Sequence, residues 1–190
     1  METSDGSDPI YSSSTIPKTQ SHGRIGEAAV AAKCWMHGIR AYNTGGLRAN
    51  FAGSDLIIDT ADPTRKRLVQ VKTGYVPKIG MVYLTQSKGN QDLMDDKFVS
   101  DFVVFVNIDK RTGSSHSHDG SLDFKHLTFY VVPRAEANEL FRSSVQRQHA
   151  KPLRAGGTRS LSNMAVLIDE AEMAEYRDAW WRIRSVCNDA

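Results

Sequence analysis

The chain has 190 residues, 40% of them hydrophobic and 24% charged, with a formal net charge of +2. These are values of an ordinary globular chain long enough to bury a core, and they exclude no compact fold. A charge this mild singles out no nucleic-acid binder by itself, so any basic surface must come from local clustering.

The N-terminus reads "METSDGSDPIYSSSTIPKTQ", with acids and serines where a secretory signal needs a basic region and an apolar core. No apolar run approaches a membrane span. A cytoplasmic location is therefore expected, with a flexible leader over residues 1–20 and a single domain over 21–190 that ends in helices. Cys34 and Cys187 lie far apart and outside any Cys-x-x-Cys pair, which points to buried free thiols.

Taken in chain order, "SHGRIGEAAVAAKCWMHG" is a predicted helix. Ile25, Ala28, Ala29, Ala32, Trp35 and Met36 recur at helical spacing, and Gly38 suits a C-terminal cap. "IRAYNTGG" reads as a short strand entering a glycine turn. "SDLIIDT" and "RLVQVKTG" are strands joined through "ADPTRK", whose Asp-Pro starts a turn, so an antiparallel hairpin is expected. "MVYLT" is a further short strand and "NQDLMDDKF" a short helix. "DFVVFVNI" is apolar almost throughout, as a central strand buried on both faces should be.

"LTFYVV" is a similar strand closed by Pro133. "RAEANELFRSSVQRQ" is a helix with Leu140, Phe141 and Val145 toward the core, and "KPLRAGGTRSLSN" a loop. The last helix is expected to start with Asp169 and Glu172 in capping-box spacing. One apolar stripe then follows through Met173, Tyr176, Trp180, Ile183 and Cys187, with Trp181 off it. The hairpin rules out a purely parallel sheet, so the expected architecture is α/β, a mixed β-sheet flanked by helices.

Alternation puts Val69 and Val71 on one face of their strand, with Leu68, Gln70 and Lys72 on the other. Asp55 begins the preceding strand. A turn near Asp62 and Pro63 sets it opposite the Gln70–Lys72 segment, and it reaches their face only in one of two registers, or through a bulge. Glu27 follows Gly26 near the start of the first helix. If these residues converge, Asp55 and Glu27 offer carboxylates, Gln70 an amide oxygen and Val71 a peptide carbonyl. Few protein oxygens completed by water are what Mg²⁺ prefers, with Mn²⁺ as a substitute. Lys72 would hold an attacking water, neutralise a pentavalent phosphate, or act as a base.

The helix with Glu27, the pair Ser54-Asp55 and the triplet Gln70-Val71-Lys72 resemble the PD-(D/E)XK phosphodiesterase superfamily, the restriction-endonuclease-like fold, over roughly residues 21–133. The resemblance implies a helix–three-strand–helix–strand core and an Mg²⁺-dependent endonuclease acting on nucleic acid, with DNA the usual substrate. It implies Asp55 as first metal ligand, Gln70 at the second acidic position, Lys72 as catalytic lysine and Glu27 as helix acid. It also makes a homodimer an open option, since many such enzymes pair to cut two strands. Two departures stand out. Ser54 replaces a proline, and Gln70 replaces an acid, which keeps the oxygen but not its charge. A Gln-x-Lys triplet is similar to the variant of methylated-DNA restriction enzymes and some homing endonucleases. The alternative is a degenerate nucleic-acid-binding or protein-interaction module on the same scaffold.

Arg48, Lys78 and Lys88 flank this constellation and are candidate nucleic-acid contacts. Arg134, Arg142, Arg147, Lys151, Arg154 and Arg159 form a second basic stretch, either phosphate-contacting or simply solvated. His116 and His118 with Asp119 supply too few ligands for zinc and read as a polar loop.

Overall fold

The computed structural model describes residues 18–44, 53–75, 79–83, 97–109, 124–150 and 165–188. Helix α1 spans Lys18–Met36 and is followed by strands β1 (Ala41–Asn43), β2 (Leu56–Asp59) and β3 (Lys66–Tyr75). Then come β4 (Ile79–Tyr83), β5 (Phe102–Ile108), β6 (Leu127–Pro133) and α2 (Arg134–His149). Strand β7 (Ala165–Ile168), a 3-10 helix over Glu170–Tyr176 and α3 (Trp181–Asn188) complete the chain.

The main sheet has the order β1-β2-β3-β5-β6, and β4 pairs with β7 in a separate two-stranded sheet. β3 and β5 run parallel, while the other neighbours in the main sheet are antiparallel. The protein is thus α/β, with a mixed five-stranded sheet between helical layers. Every residue of β5 is buried, as its unbroken apolar run requires. Alternation sends Phe102, Val104 and Val106 to one face, against Ala29, Val30 and Cys34 of α1 and Ile183 and Cys187 of α3. Val103 and Phe105 go to the other, against Ala137, Phe141 and Val145 of α2 and Val166 and Ile168 of β7. Both cysteines are free and buried, and burial pushes the Cys34 thiol up to about 12.

Four expectations are corrected. First, α1 begins at Lys18, inside the stretch read as leader; residues 1–17 lie outside the described ones. Second, α1 is rotated relative to its predicted stripe. Ala29, Val30 and Cys34 are buried, whereas Ala28, Ile25 (37% exposed), Trp35 (53%) and Met36 (72%) face outward. The cause is Gly26. A Cβ there would lie 1.9 Å from Oγ1 of Thr73, so the helix meets β3 backbone-first, and positions 26, 30 and 34 line its inner face. Trp35 instead donates from Nε1 to the Ala41 carbonyl at 3.1 Å and packs edge-on against Tyr42, holding β1 beside the helix.

Third, β7 occupies a four-residue run assigned to no element. Fourth, the expected last helix is two elements. The capping box forms, with Asp169 accepting from the Ala171 N–H at 3.0 Å and Glu172 reaching back to the Asp169 N–H. It opens a 3-10 helix, however, and the chain breaks at Asp178, which takes φ 49°. The apolar stripe divides accordingly. Met173 and Tyr176 join the α2 side, while Trp180, Ile183 and Cys187 join the α1 side. The chain crosses the open edge of β6 to do this, through a Tyr130–Arg177 bridge and a bond from the Asp178 N–H to the Phe129 carbonyl at 2.9 Å.

Gly38, at φ 74°, ends α1 as expected. The helix expected over "NQDLMDDKF" falls mostly on residues outside those described, and its end, Lys97-Phe98, is non-helical.

The close packing at Gly26 makes a test of its own. Gly26→Ala is expected to destabilise the fold by about 1–3 kcal/mol through overpacking, despite Ala being the better helix former. Thr73→Ala should recover part of that loss in urea unfolding of the double variant.

Candidate functional site

The hairpin register settles which way Asp55 points. Leu56 stands opposite Val69 and Asp59 opposite Lys66, and Leu56 and Val69 both face the α1 side. Asp55, Gln70 and Lys72 therefore share the other face, beside Val103 and Phe105, their β5 neighbours. At Asp55 the two strands part. Its N–H reaches the Val69 carbonyl at 2.8 Å, and its carboxylate Oδ2 accepts from the Val71 N–H at 2.7 Å. Beyond that point β3 continues alongside β5. A strand residue sends its N–H and C=O to the same neighbour, so the Val71 carbonyl also points to the β2 side, where Asp55 stands.

Gln70 supplies the most informative atom. Its Oε1 is buried and has no hydrogen-bond partner. An orphaned buried acceptor costs about 1–3 kcal/mol, and such sites call for a missing donor or cation. Lys72 is half-buried. Desolvation pushes its ionisation down, the Asp55 charge opposes that shift, and the charge of Lys97 adds to it. Among the described residues no three His, Cys, Asp or Glu side chains gather as a metal-binding group. What gathers is one carboxylate, one amide oxygen, one backbone carbonyl and one ammonium.

Glu27 stands apart from the trio. Its Oε2 accepts from Asn43 Nδ2 at 3.3 Å, and Asn43 lies opposite Leu56 at the end of β1. That strand end is tied to the Asp55 turn, because Thr44 donates from its N–H to the Asp55 carbonyl at 2.9 Å and from Oγ1 to the Ser54 carbonyl at 2.8 Å. Glu27 thus approaches from the α1 layer, linked to Asp55 through β1.

Arg48, Lys78 and Lys88 lie outside the described residues, as do Lys151, Arg154, Arg159, His116 and His118. In the second basic stretch, Arg142 pairs with Glu139 at 2.9 Å and Arg147 makes two bonds to Glu172. Among the described residues, the Arg134 guanidinium meets a backbone carbonyl, that of Val99, at 3.3 Å and no carboxylate.

The sequence offered no motif for the segment from Lys97 to Asp101, yet it frames the site. Asn138, buried in α2, grips the Phe98 backbone twice, accepting from its N–H at 2.9 Å and donating to its carbonyl at 3.0 Å. Ser100 Oγ bonds Ser54 Oγ at 2.7 Å and donates to the Gly53 carbonyl at 3.0 Å. Gly53, at φ 89°, leaves space for Val99, since a Cβ there would sit 3.0 Å from the valine methyl. Asp101 turns to β3, where it accepts from the Leu68 N–H at 2.8 Å.

No family model matches the chain, and no curated protein matches it. Among solved structures, the chain is similar to a bacterial homing endonuclease, I-Ssp6803I, with 16% identity and a TM-score of 0.46, over 89% of this chain and 95% of that one. No helix among the described residues is long and apolar enough to cross a membrane.

Proposed function

We propose that this protein is a metal-dependent endonuclease that hydrolyses phosphodiester bonds of nucleic acid, with DNA as substrate, on a restriction-endonuclease-like core of the PD-(D/E)XK type. The observation that carries this reading is the meeting of the Asp55 carboxylate, the orphaned Gln70 Oε1 and the half-buried Lys72 on one face, where β2 and β3 part.

The residues fit a hard cation. The second Asp55 oxygen, Gln70 Oε1 and the Val71 carbonyl would hold Mg²⁺ or Mn²⁺, with Glu27 as an outer acid and water filling the remaining positions. When bound, such an ion acidifies a water and polarises a phosphoryl oxygen. Asp55 positions the β3 backbone through its bond to the Val71 N–H while keeping one oxygen free. Lys72 shares that face and feels the Asp55 charge, so its ammonium would act on an attacking water or on the charge building on the phosphorane. Burial keeps that charge poorly hydrated, so it acts strongly on an incoming anion.

A cleavage assay with supercoiled plasmid, single strands and branched DNA tests the reading, with Mg²⁺ or Mn²⁺ added. Cleavage lost on chelation supports it; binding without cutting any substrate under either ion overturns it. The neutral Gln70 favours one rival, a nucleic-acid-binding module that cuts nothing. Metal titration separates the two. Mn²⁺ is expected to raise the melting temperature of the wild type, and of Gln70→Glu at lower ion concentrations, and to leave Asp55→Asn unmoved. A wild type that melts identically with and without the ion rejects the metal site.

A further inference from the structure

We infer that the segment Lys97–Asp101, with Arg134, forms a rail that grips the phosphate backbone of the nucleic acid beside the cutting site; this rests on the reading of that site as a nuclease centre. Three observations carry the inference.

The rail is built rigidly and from three sides. Asn138 clamps Phe98 from α2, Ser100 is bonded to Gly53 and Ser54 on the turn that presents Asp55, and the Arg134 N–H bonds the Asp101 carbonyl at 2.9 Å. A segment tied at Phe98, Ser100 and Asp101 presents its outward side chains in fixed places, so a binding partner need not order them.

The rail also lies over the site. Phe98 packs edge-on against Phe105 with ring centroids 6.1 Å apart, and Phe105 is the β5 neighbour of Lys72. Lys97 therefore enters directly above the Lys72 side of the sheet.

Finally, the exposed chemistry of the rail is cationic and unmatched. Among the described residues, the exposed Lys97 makes no ion pair, and the exposed guanidinium of Arg134 has only the Val99 carbonyl as partner. Val99, 56% exposed, lies between them. Several cations elsewhere are neutralised, although the exposed Arg24, Arg40, Arg177 and Arg184 likewise make no ion pair among the described residues. Arg65, Lys66, Arg67, Arg142, Arg147 and Arg182 each meet a carboxylate. The one acid on the rail, Asp101, is turned inward to Arg67 and the Leu68 N–H. Two uncompensated cations on a fixed strip beside a phosphodiester site suit consecutive backbone phosphates, without reading base sequence.

The test measures binding apart from cutting. Asp55→Asn, which keeps an acceptor for the Val71 N–H, serves as the non-cutting background, with a fluorescent 20-bp DNA duplex read by anisotropy over a range of salt. Adding Lys97→Ala or Arg134→Ala is expected to reduce the slope of log affinity against log salt by about 0.9 each. The difference in affinity between about 50 and 200 mM salt should then shrink about 3.5-fold per residue. Arg65→Ala, at the far turn of the hairpin, should leave the slope unchanged. Slopes in the Lys97 and Arg134 variants unchanged from that of the background, or no binding in the background, overturn the rail. A wild type that cuts nothing while these slopes still fall rejects the nuclease reading and leaves the rail standing.

Discussion

Lys72→Met is expected to lower the rate of metal-dependent cleavage by about 10²–10⁴-fold, in the range lost when a positioned proton-handling or charge-stabilising group is removed. Methionine is close to lysine in length and apolar bulk, so the variant removes charge with little change of shape. The ammonium is held in a partly desolvated place that disfavours its charge, with Asp55 as its compensating partner. A protein that merely needed volume there would be as stable with methionine, or more so. Melting temperature should thus hold or rise while single-turnover cleavage falls, and that split is the mark of a chemical rather than a structural role. Asp55→Asn is expected to lose cleavage alongside it, since it keeps the bond to the Val71 N–H and forfeits the negative charge. Cleavage by Lys72→Met at the wild-type rate would remove Lys72 from the chemistry.

The second large effect is on folding. Asn138→Ala is expected to cost about 2–5 kcal/mol, because it strips partners from both the N–H and the carbonyl of Phe98, each worth about 1–3 kcal/mol when buried and left unmade. Asn138 is 2% exposed and Phe98 1%, so water does not readily replace what is lost. Urea unfolding measures the loss. A cost below about 1 kcal/mol would mean that the 97–101 segment is held chiefly by Ser100 and by the packing of Phe98 on Phe105 and Phe141.

What could be read from the chain in advance follows the range of the interactions involved. The hairpin of β2 and β3 was legible because its signals are local: alternating aliphatics on either side of an Asp-Pro turn. β5 was legible because a strand buried on both faces must be apolar throughout. The shared face of Gln70 and Lys72 follows from strand periodicity alone, and Asp55 needed only the register to join them. The rotation of α1 was not legible, since it depends on the contact of Gly26 with Thr73 across the fold. Trp35 and Met36 look like core residues at helical spacing, and nothing nearby in sequence says otherwise. The division of the C-terminal stripe was hidden for a similar reason. Its residues have the right spacing for one helix, but they serve opposite sides of a sheet. The segment holding Lys97 gave no sign, because its clamps come from Asn138 and Ser54, each about forty or more positions away.

The passage of the chain from one helical layer to the other also leaves the two rims of the main sheet unequally guarded. At the β6 rim, the Tyr130–Arg177 bridge and the Asp178 bond occupy backbone groups that a foreign strand would need. Among the described residues, the opposite rim ends in the three residues of β1, where Trp35 Nε1 takes the Ala41 carbonyl. At the β6 rim a foreign strand would have to displace Arg177 and Asp178, residues of the same chain, before it could pair.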